Sequence, residues 1–219
     1  MSPTGKKRLK KTRPPPTPKG SKPWDMPSLP KRGDRLRDDT FIAVGRALSQ
    51  WEHFEGEIGL IYGILAGPLR ETSPAIRAYG SVSSFSTRID MINEASKAFF
   101  LRINPSIENE IKRLLDDAKQ FATRRNEIAH GIVQPYYSRG QTQSGYALGP
   151  SRFATRKQIL SWDGMLGSVD GMYAYTSREL ENLYTNFGVL TERAMELHLA
   201  LQTISEGLHQ RTSSRSARN

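Results

Sequence analysis

Apolar residues recur at steps of three and four through four long stretches of the chain, the spacing of amphipathic helices. In the first stretch Phe41, Val44, Leu48, Trp51, Phe54 or Glu55, Ile58, Ile61, Tyr62 and Leu65 share a face. They predict a helix from about Asp38 to Leu65, ended by Gly67-Pro68. Ser73-Pro74 has the form of an N-cap followed by proline at the first helical position, opening a short helix to about Tyr79. A helix from about Ser84 carries Phe85, Ile89, Ile92, Ala95 and Phe99 on one side, and Asn104-Pro105 breaks it and starts the next. That next helix, Pro105 to His130, has a stripe of Ile107, Ile111, Leu114, Ala118 and Phe121, then Arg125 in an apolar slot, then Ile128, with Gly131 as its stop. The last helix has the best local signal. Thr176 and Glu179 form a capping box, Tyr175 can staple onto Leu180, and a long apolar face continues to Leu208.

Residues 132–175 break this rhythm. The segment "QPYYSRGQTQSGYALGPSRFAT" is rich in Gly, Ser, Gln and Tyr, with short alternating pieces around Tyr146–Leu148 and Arg152–Ala154. It reads as an inserted loop with one β-hairpin. The expected fold is therefore all-α: a bundle of four to five helices over residues 34–208, with one long inserted loop or small β-hairpin.

Charge changes the picture only when it is mapped. The formal net charge is +10, yet residues 1–37 hold 12 Lys and Arg against Asp25 and Asp34, and residues 209–219 add Arg211, Arg215 and Arg218 without an acid. The segment between them is slightly acidic, so the basicity lies at the ends. Residues 1–33 also contain eight of the 13 prolines. Such a segment has too little apolar surface to offset ordering entropy, so it is expected to be a disordered basic arm, with 209–219 a disordered basic tail. Lys6, Lys7, Arg8, Lys10, Lys11 and Arg13 are its candidate RNA-binding residues, acting by counterion release, although a solubilising tail would have the same composition. Cysteine is absent, which excludes disulfides, thiolate zinc sites and cysteine nucleophiles. No apolar run approaches the length needed to span a bilayer, and the basic N-terminus has no apolar segment after it. A cytoplasmic protein is expected, with no membrane partner.

The chemistry concentrates in "FATRRNEIAHGIV", residues 121–133. On an ideal helix Asn126 and His130 lie about 40° apart and share a face, whereas Arg125 and His130 are about 140° apart. A guanidinium in an apolar stripe requires a receiver: an acid on another helix (Glu52, Glu55 or Asp90), a second subunit or a phosphate. His130 sits in the last turn, where the helix dipole favours a cation, and a histidine there can move protons. Arg125 offers a planar fork suited to phosphate oxygens. Arg plus His without metal ligands is the minimum set for cleaving RNA through its own 2′-hydroxyl.

"RRNEIAHG" resembles the signature of the HEPN superfamily, an Arg, a spacer of four to six residues and then a His, with a polar residue often directly after the Arg. Arg125, Asn126 and His130 match it with a four-residue spacer. The resemblance covers residues 38–208 in architecture and about eight residues in its specific part. It implies a small helical bundle that dimerises so that two copies of the motif line one cleft. It also implies a metal-independent endoribonuclease needing no cofactor, as in toxin–antitoxin and phage-defence systems, with RNA and an antitoxin protein as partners. Catalytic Arg125, Asn126 and His130 would be joined by Arg124 as an RNA contact. Members that only bind RNA or a partner protein form the alternative. The 132–175 insertion is not a core feature of that family.

Other constellations are weaker. His53 beside Glu52, Glu55 and Glu57 has helical spacing suited to a metal but reads better as a solvated face. His198 and His209 read as surface or core-edge residues. Tyr136, Tyr137, Tyr146, Tyr173 and Tyr175 interleave with Arg139, Arg152, Arg156 and Lys157, a composition that can stack bases and hold a backbone. No phosphate loop, dinucleotide fingerprint, Ser-His-Asp pattern or internal repeat is present.

Overall fold

A computed structural model describes residues 22–67, 74–101, 104–137, 143–151, 159–163, 168–171 and 173–216. Five helices appear where the apolar periodicity puts them: α1 (Arg37–Ala66), α2 (Pro74–Ser81), α3 (Phe85–Phe99), α4 (Pro105–His130) and α5 (Ser177–Ser216). The described residues are thus mostly helical, and among them two small antiparallel hairpins lie between α4 and α5. Strand β1 (Ile132–Tyr137) pairs with β2 (Gln143–Gly149), and β3 (Ile159–Asp163) with β4 (Ser168–Gly171). The expected single hairpin is therefore two. Tyr146–Leu148 lie in β2, while Arg152–Ala154 fall outside the described residues.

The bundle is built on α1, which packs along α5 and also against α2, α3 and α4. Trp51 of α1 is its aromatic centre, with the rings of Phe54, Phe85 and Phe187 at 5.0–5.4 Å. Ile89 and Ile92 from α3, Ile111, Leu114 and Phe121 from α4, and Leu180, Phe187, Leu190 and Leu201 from α5 fill the space around it. Local chemistry sets the helix starts. Ser84 accepts from the Thr87 N–H at 3.3 Å, and Asn104 caps α4 ahead of Pro105, as the sequence predicts.

The start of α5 is capped differently from expectation. The Thr176 N–H does donate to Glu179 Oε2 at 2.9 Å, and the Thr176 hydroxyl also turns to that carboxylate. The Ser177 N–H and hydroxyl go instead to Asp34, at 2.7 Å each, and Thr40 donates to the same carboxylate at 2.6 Å. Asp34 thereby ties the start of α1 to the start of α5.

Residues 22–36 form a strap over the bundle. Trp24 stands edge-on to Phe121 with centroids 5.7 Å apart, and Tyr136 donates to the Pro30 carbonyl at 2.7 Å. Asp34 bridges Tyr146 through two backbone bonds of 2.7 and 2.8 Å, which makes β2 central. Where strap meets strand, Gly145 has φ +129°, and a Cβ on it would lie 2.5 Å from the Asp34 carbonyl. Residues 22–33, counted above with the arm, are thus laid on the domain. Lys6, Lys7, Arg8, Lys10, Lys11 and Arg13 lie outside the described residues, as do Arg139, Arg152, Arg156 and Lys157. Among the described residues no helix is long and apolar enough to cross a membrane.

Candidate functional site

The last three turns of α4 carry two polar arrangements on opposite sides. The inward one is built on Arg124, whose residue is only 7% exposed. Its Nη1 lies 3.0 Å from Glu127 Oε2 and donates to the Tyr175 hydroxyl at 3.1 Å, while that hydroxyl donates to the Glu127 carboxylate. Tyr173, stacked on Tyr175, donates to the Glu127 carbonyl at 3.4 Å. Burial raises the Glu127 pKa, opposed by the Tyr175 hydrogen bond and the Arg124 charge. Burial likewise raises both tyrosine hydroxyls, and the Glu127 charge adds to it. This network locks the end of α4 to the chain entering α5. Arg124, expected as an RNA contact, is buried here and bonded to Glu127 and Tyr175.

The outward arrangement holds the motif. Arg125 is not the buried member of the pair: its side chain is 28% exposed and opens on a cleft of about 670 Å³ between α1, α3 and α4. Positions 124 and 125 both border the apolar stripe, and the helix turns the first of them inward. The Arg125 Nη2 group lies 3.5 Å from both Glu52 and Glu55, and Nη1 donates to Asn126 Oδ1 at 3.2 Å. Its Nε is buried without an acceptor. Glu52 and Glu55 are two of the three acids expected as receivers; the third, Asp90, pairs with Lys119 at 3.1 Å.

Glu55 is itself nearly buried and already held at 2.5 Å by both Trp51 Nε1 and Arg88 Nη1. Arg88 anchors further through Nε to the Val82 carbonyl at 2.7 Å. Charge-assisted bonds are typically 2.7–2.9 Å. Arg125 is therefore the loose third donor, and second cation, on a carboxylate whose close partners are Trp51 and Arg88.

Asn126 and His130 are both exposed, on the face their spacing predicts. His130 has no hydrogen-bond or ionic partner among the described residues. Gly131 ends the helix with φ −76°, an ordinary extended conformation rather than a left-handed cap. Its small size is what counts, since a Cβ would lie 2.8 Å from both the Glu127 carbonyl and the Leu148 side chain. Within one protomer the five-residue separation leaves Arg125 and His130 on different sides of α4, and the structure does not bring them together.

Among the described residues His53 and His198 do not build a metal site. Glu57 faces His198 Nδ1 at 3.2 Å and Glu55 faces Arg88, so the acids around His53 are separately engaged. No group of three candidate metal ligands converges among the described residues. The cleft itself was not foreseen. Ser83, Ser84, Phe85, Ser86, Arg88 and Lys119 reach it from segments whose sequence carries no motif, and only the tertiary packing of α3 on α4 assembles them.

Comparison with known proteins adds no second line of inference: no family model matches the chain, and no curated protein or solved structure matches it significantly.

Proposed function

We propose that the chain is a HEPN-like, metal-independent endoribonuclease that works as a homodimer, with the site completed across the twofold axis. The observation that carries this reading is His130: an exposed, unpartnered imidazole at a helix end, on the same short motif as an under-bonded guanidinium it cannot face. A second copy supplies the missing partner, Arg125 of one protomer opposite His130 of the other. His130 takes the proton of the ribose 2′-hydroxyl, whose oxygen attacks the adjacent phosphorus. The P–O5′ bond breaks and the leaving 5′-oxygen takes a proton from solvent water, giving a 2′,3′-cyclic phosphate and a 5′-hydroxyl end. Arg125 stabilises the charge on the phosphoryl oxygens, and Asn126 orients the Arg125 guanidinium, to which it is already bonded.

The test is RNA cleavage in EDTA by wild type, Arg125→Ala, His130→Ala and a refolded equimolar mixture of the two variants. Each variant alone is inactive. The mixture recovers about a quarter of wild-type activity, because random pairing gives half heterodimers with one intact site in two. Cleavage surviving both single changes refutes the site, and a dead mixture refutes its division between protomers. A second reading, a non-catalytic module that binds RNA or a protein partner, is favoured by the two carboxylates beside Arg125. It expects no chelator-resistant cleavage by the wild type.

A further inference from the structure

Positive charge that no acid answers concentrates at the end of the strap. On the helices Arg88, Lys97, Arg113, Lys119 and Arg193 each hold a carboxylate. Lys31, Arg32, Arg35 and Arg37 are exposed and hold none among the described residues. Asp34, the acid inside that run, is taken up by Thr40 and Ser177. The run is tied to β1 at both ends. Tyr136 donates to the Pro30 carbonyl at 2.7 Å, and Arg37 Nη2 donates to the Val133 carbonyl at 3.3 Å. Three residues of strand, about 10 Å, separate those two points. The Arg37 guanidinium lies 5.0 Å from the Phe41 ring centroid, and that single bond to Val133 leaves most of its five N–H donors open. Apolar surface stands open along the same stretch: Phe41 is 47% exposed, Ile132 47% and Tyr137 50%. Strand β1 starts two residues after His130. Cations without counter-ions beside open aromatic rings are what a single nucleic-acid strand binds, phosphates on the charges and bases on the ring faces.

We propose that the strap from Lys31 to Arg37, together with Phe41 and Tyr137, is the surface over which single-stranded RNA runs on leaving His130. The four cations take backbone phosphates and Tyr137 stacks a base, which requires unpaired nucleotides and so favours a single strand over a duplex. Unlike residues 1–21, this basic segment is fixed on the domain: the Gly33 N–H donates to the Ser144 carbonyl at 3.1 Å, and Asp34 bridges Tyr146. The strand therefore keeps one direction relative to the end of α4. The proposal rests on RNA as the ligand in the functional reading above, but not on cleavage, and it uses no residue of the motif.

The experiment measures fluorescence anisotropy of a labelled single-stranded 2′-O-methyl oligoribonucleotide, which has no attacking hydroxyl, against the full chain over a range of KCl concentrations. The double variant Lys31→Gln/Arg35→Gln removes two exposed charges that make no bond in the fold, so folding is retained. It lowers the slope of log affinity against log salt by about 1.4 and weakens binding about tenfold at 0.1 M KCl. Tyr137→Ala weakens binding about fivefold and leaves the slope unchanged. The control Arg77→Gln/Lys112→Gln removes the same charge from exposed positions on α2 and α4 that also lack an ionic partner among the described residues, and it leaves affinity within about twofold. Wild-type affinity in the Lys31/Arg35 variant overturns the surface. So does an equal loss in the control, which would make net charge the cause, or a wild type with no affinity for the probe. Full affinity in Tyr137→Ala, with a duplex bound as tightly as the single strand, overturns the single-strand assignment. A wild type that binds through the strap but cuts no RNA refutes the nuclease and supports the surface.

Discussion

The decisive perturbation is a pair of double-mutant cycles on Glu55, one with Arg88 and one with Arg125. The question they answer is whether Arg125 is a structural ion pair or a cation held ready for something else. Both guanidiniums address the same carboxylate, Arg88 at 2.5 Å and Arg125 at 3.5 Å. Distance alone separates them little, because Coulomb energy falls as 1/r and drops by roughly three-tenths over that interval. The hydrogen bond separates them more. Arg88 donates squarely to a carboxylate that is 8% exposed, whereas Arg125 reaches it at the limit of bonding and shares its Nη2 with Glu52, 66% exposed. Buried charge-assisted bonds contribute about 1.5–3 kcal/mol and half-exposed ion pairs about 0.2–1 kcal/mol. The expected coupling is therefore about 2 kcal/mol for Glu55 with Arg88 and at most about 0.5 kcal/mol for Glu55 with Arg125. Glu55→Gln keeps an acceptor for Trp51, and methionine at 88 or 125 keeps the apolar stem packed. Urea unfolding with constant m-values supplies the free energies. A coupling of Arg125 as large as that of Arg88 would mean the guanidinium belongs to the fold, and the nuclease reading would lose its phosphate clamp.

Three further outcomes follow from the same contacts. Asp34→Ala removes the acceptor of three bonds, from Thr40 and twice from Ser177, and should cost about 3 kcal/mol in urea unfolding; a loss below about 1 kcal/mol would show that α5 does not depend on this remote cap. Glu127 binds its proton more readily folded than unfolded because burial raises its pKa, so its contribution to stability is largest on the acidic side and declines as pH rises from the ordinary carboxyl range through the folded value. Glu127→Gln should flatten that decline in pH-dependent urea midpoints, and an identical profile would refute the assignment. Deleting residues 1–21 removes seven cations and no acid, so it should reduce the salt slope of RNA binding by up to about 5 without lowering the melting temperature. Deleting 1–33 should also lower the melting temperature, because Trp24 and the strap go with it; an unchanged slope in the shorter deletion would mean the arm has no electrostatic role.

The helices were legible because their signals are local. Asn104-Pro105, Ser84 and the apolar spacing each act within a turn or two: α1 and α4 begin and end within a residue of expectation, and α3 begins within one but ends at Phe99, ahead of the Asn104-Pro105 break. The misreadings share one cause, a partner far away in sequence. The cap of α5 comes from Asp34, 143 residues earlier, so the local capping box at Thr176 and Glu179 could not reveal it. Which of Arg124 and Arg125 turns inward was fixed by Tyr175, a residue with no periodic relation to α4. The ordered strap depends on a single aromatic anchor, Trp24 on Phe121, and on glycines that let two backbones approach, against a composition that otherwise argues for disorder.

That division bears on the site itself. A motif of six residues on one regular helix fixes the relative placement of its side chains almost completely: about 7.5 Å of rise and 140° of rotation separate Arg125 from His130. No repacking of the bundle can change this while α4 stays helical, and the Arg124–Glu127–Tyr175 network keeps it so up to the last turn. Chemistry that needs guanidinium and imidazole on one phosphodiester is therefore not preassembled on one α4. The proposed division of the site supplies the partner from a second α4 related by symmetry, and the exposed state of His130, without a partner among the described residues, is what a half-site would present before that pairing. The same rigidity makes the opposite outcome equally sharp. A chain that remains monomeric at the concentrations where it is assayed, and still cuts RNA through these two residues, would refute the division of the site between protomers.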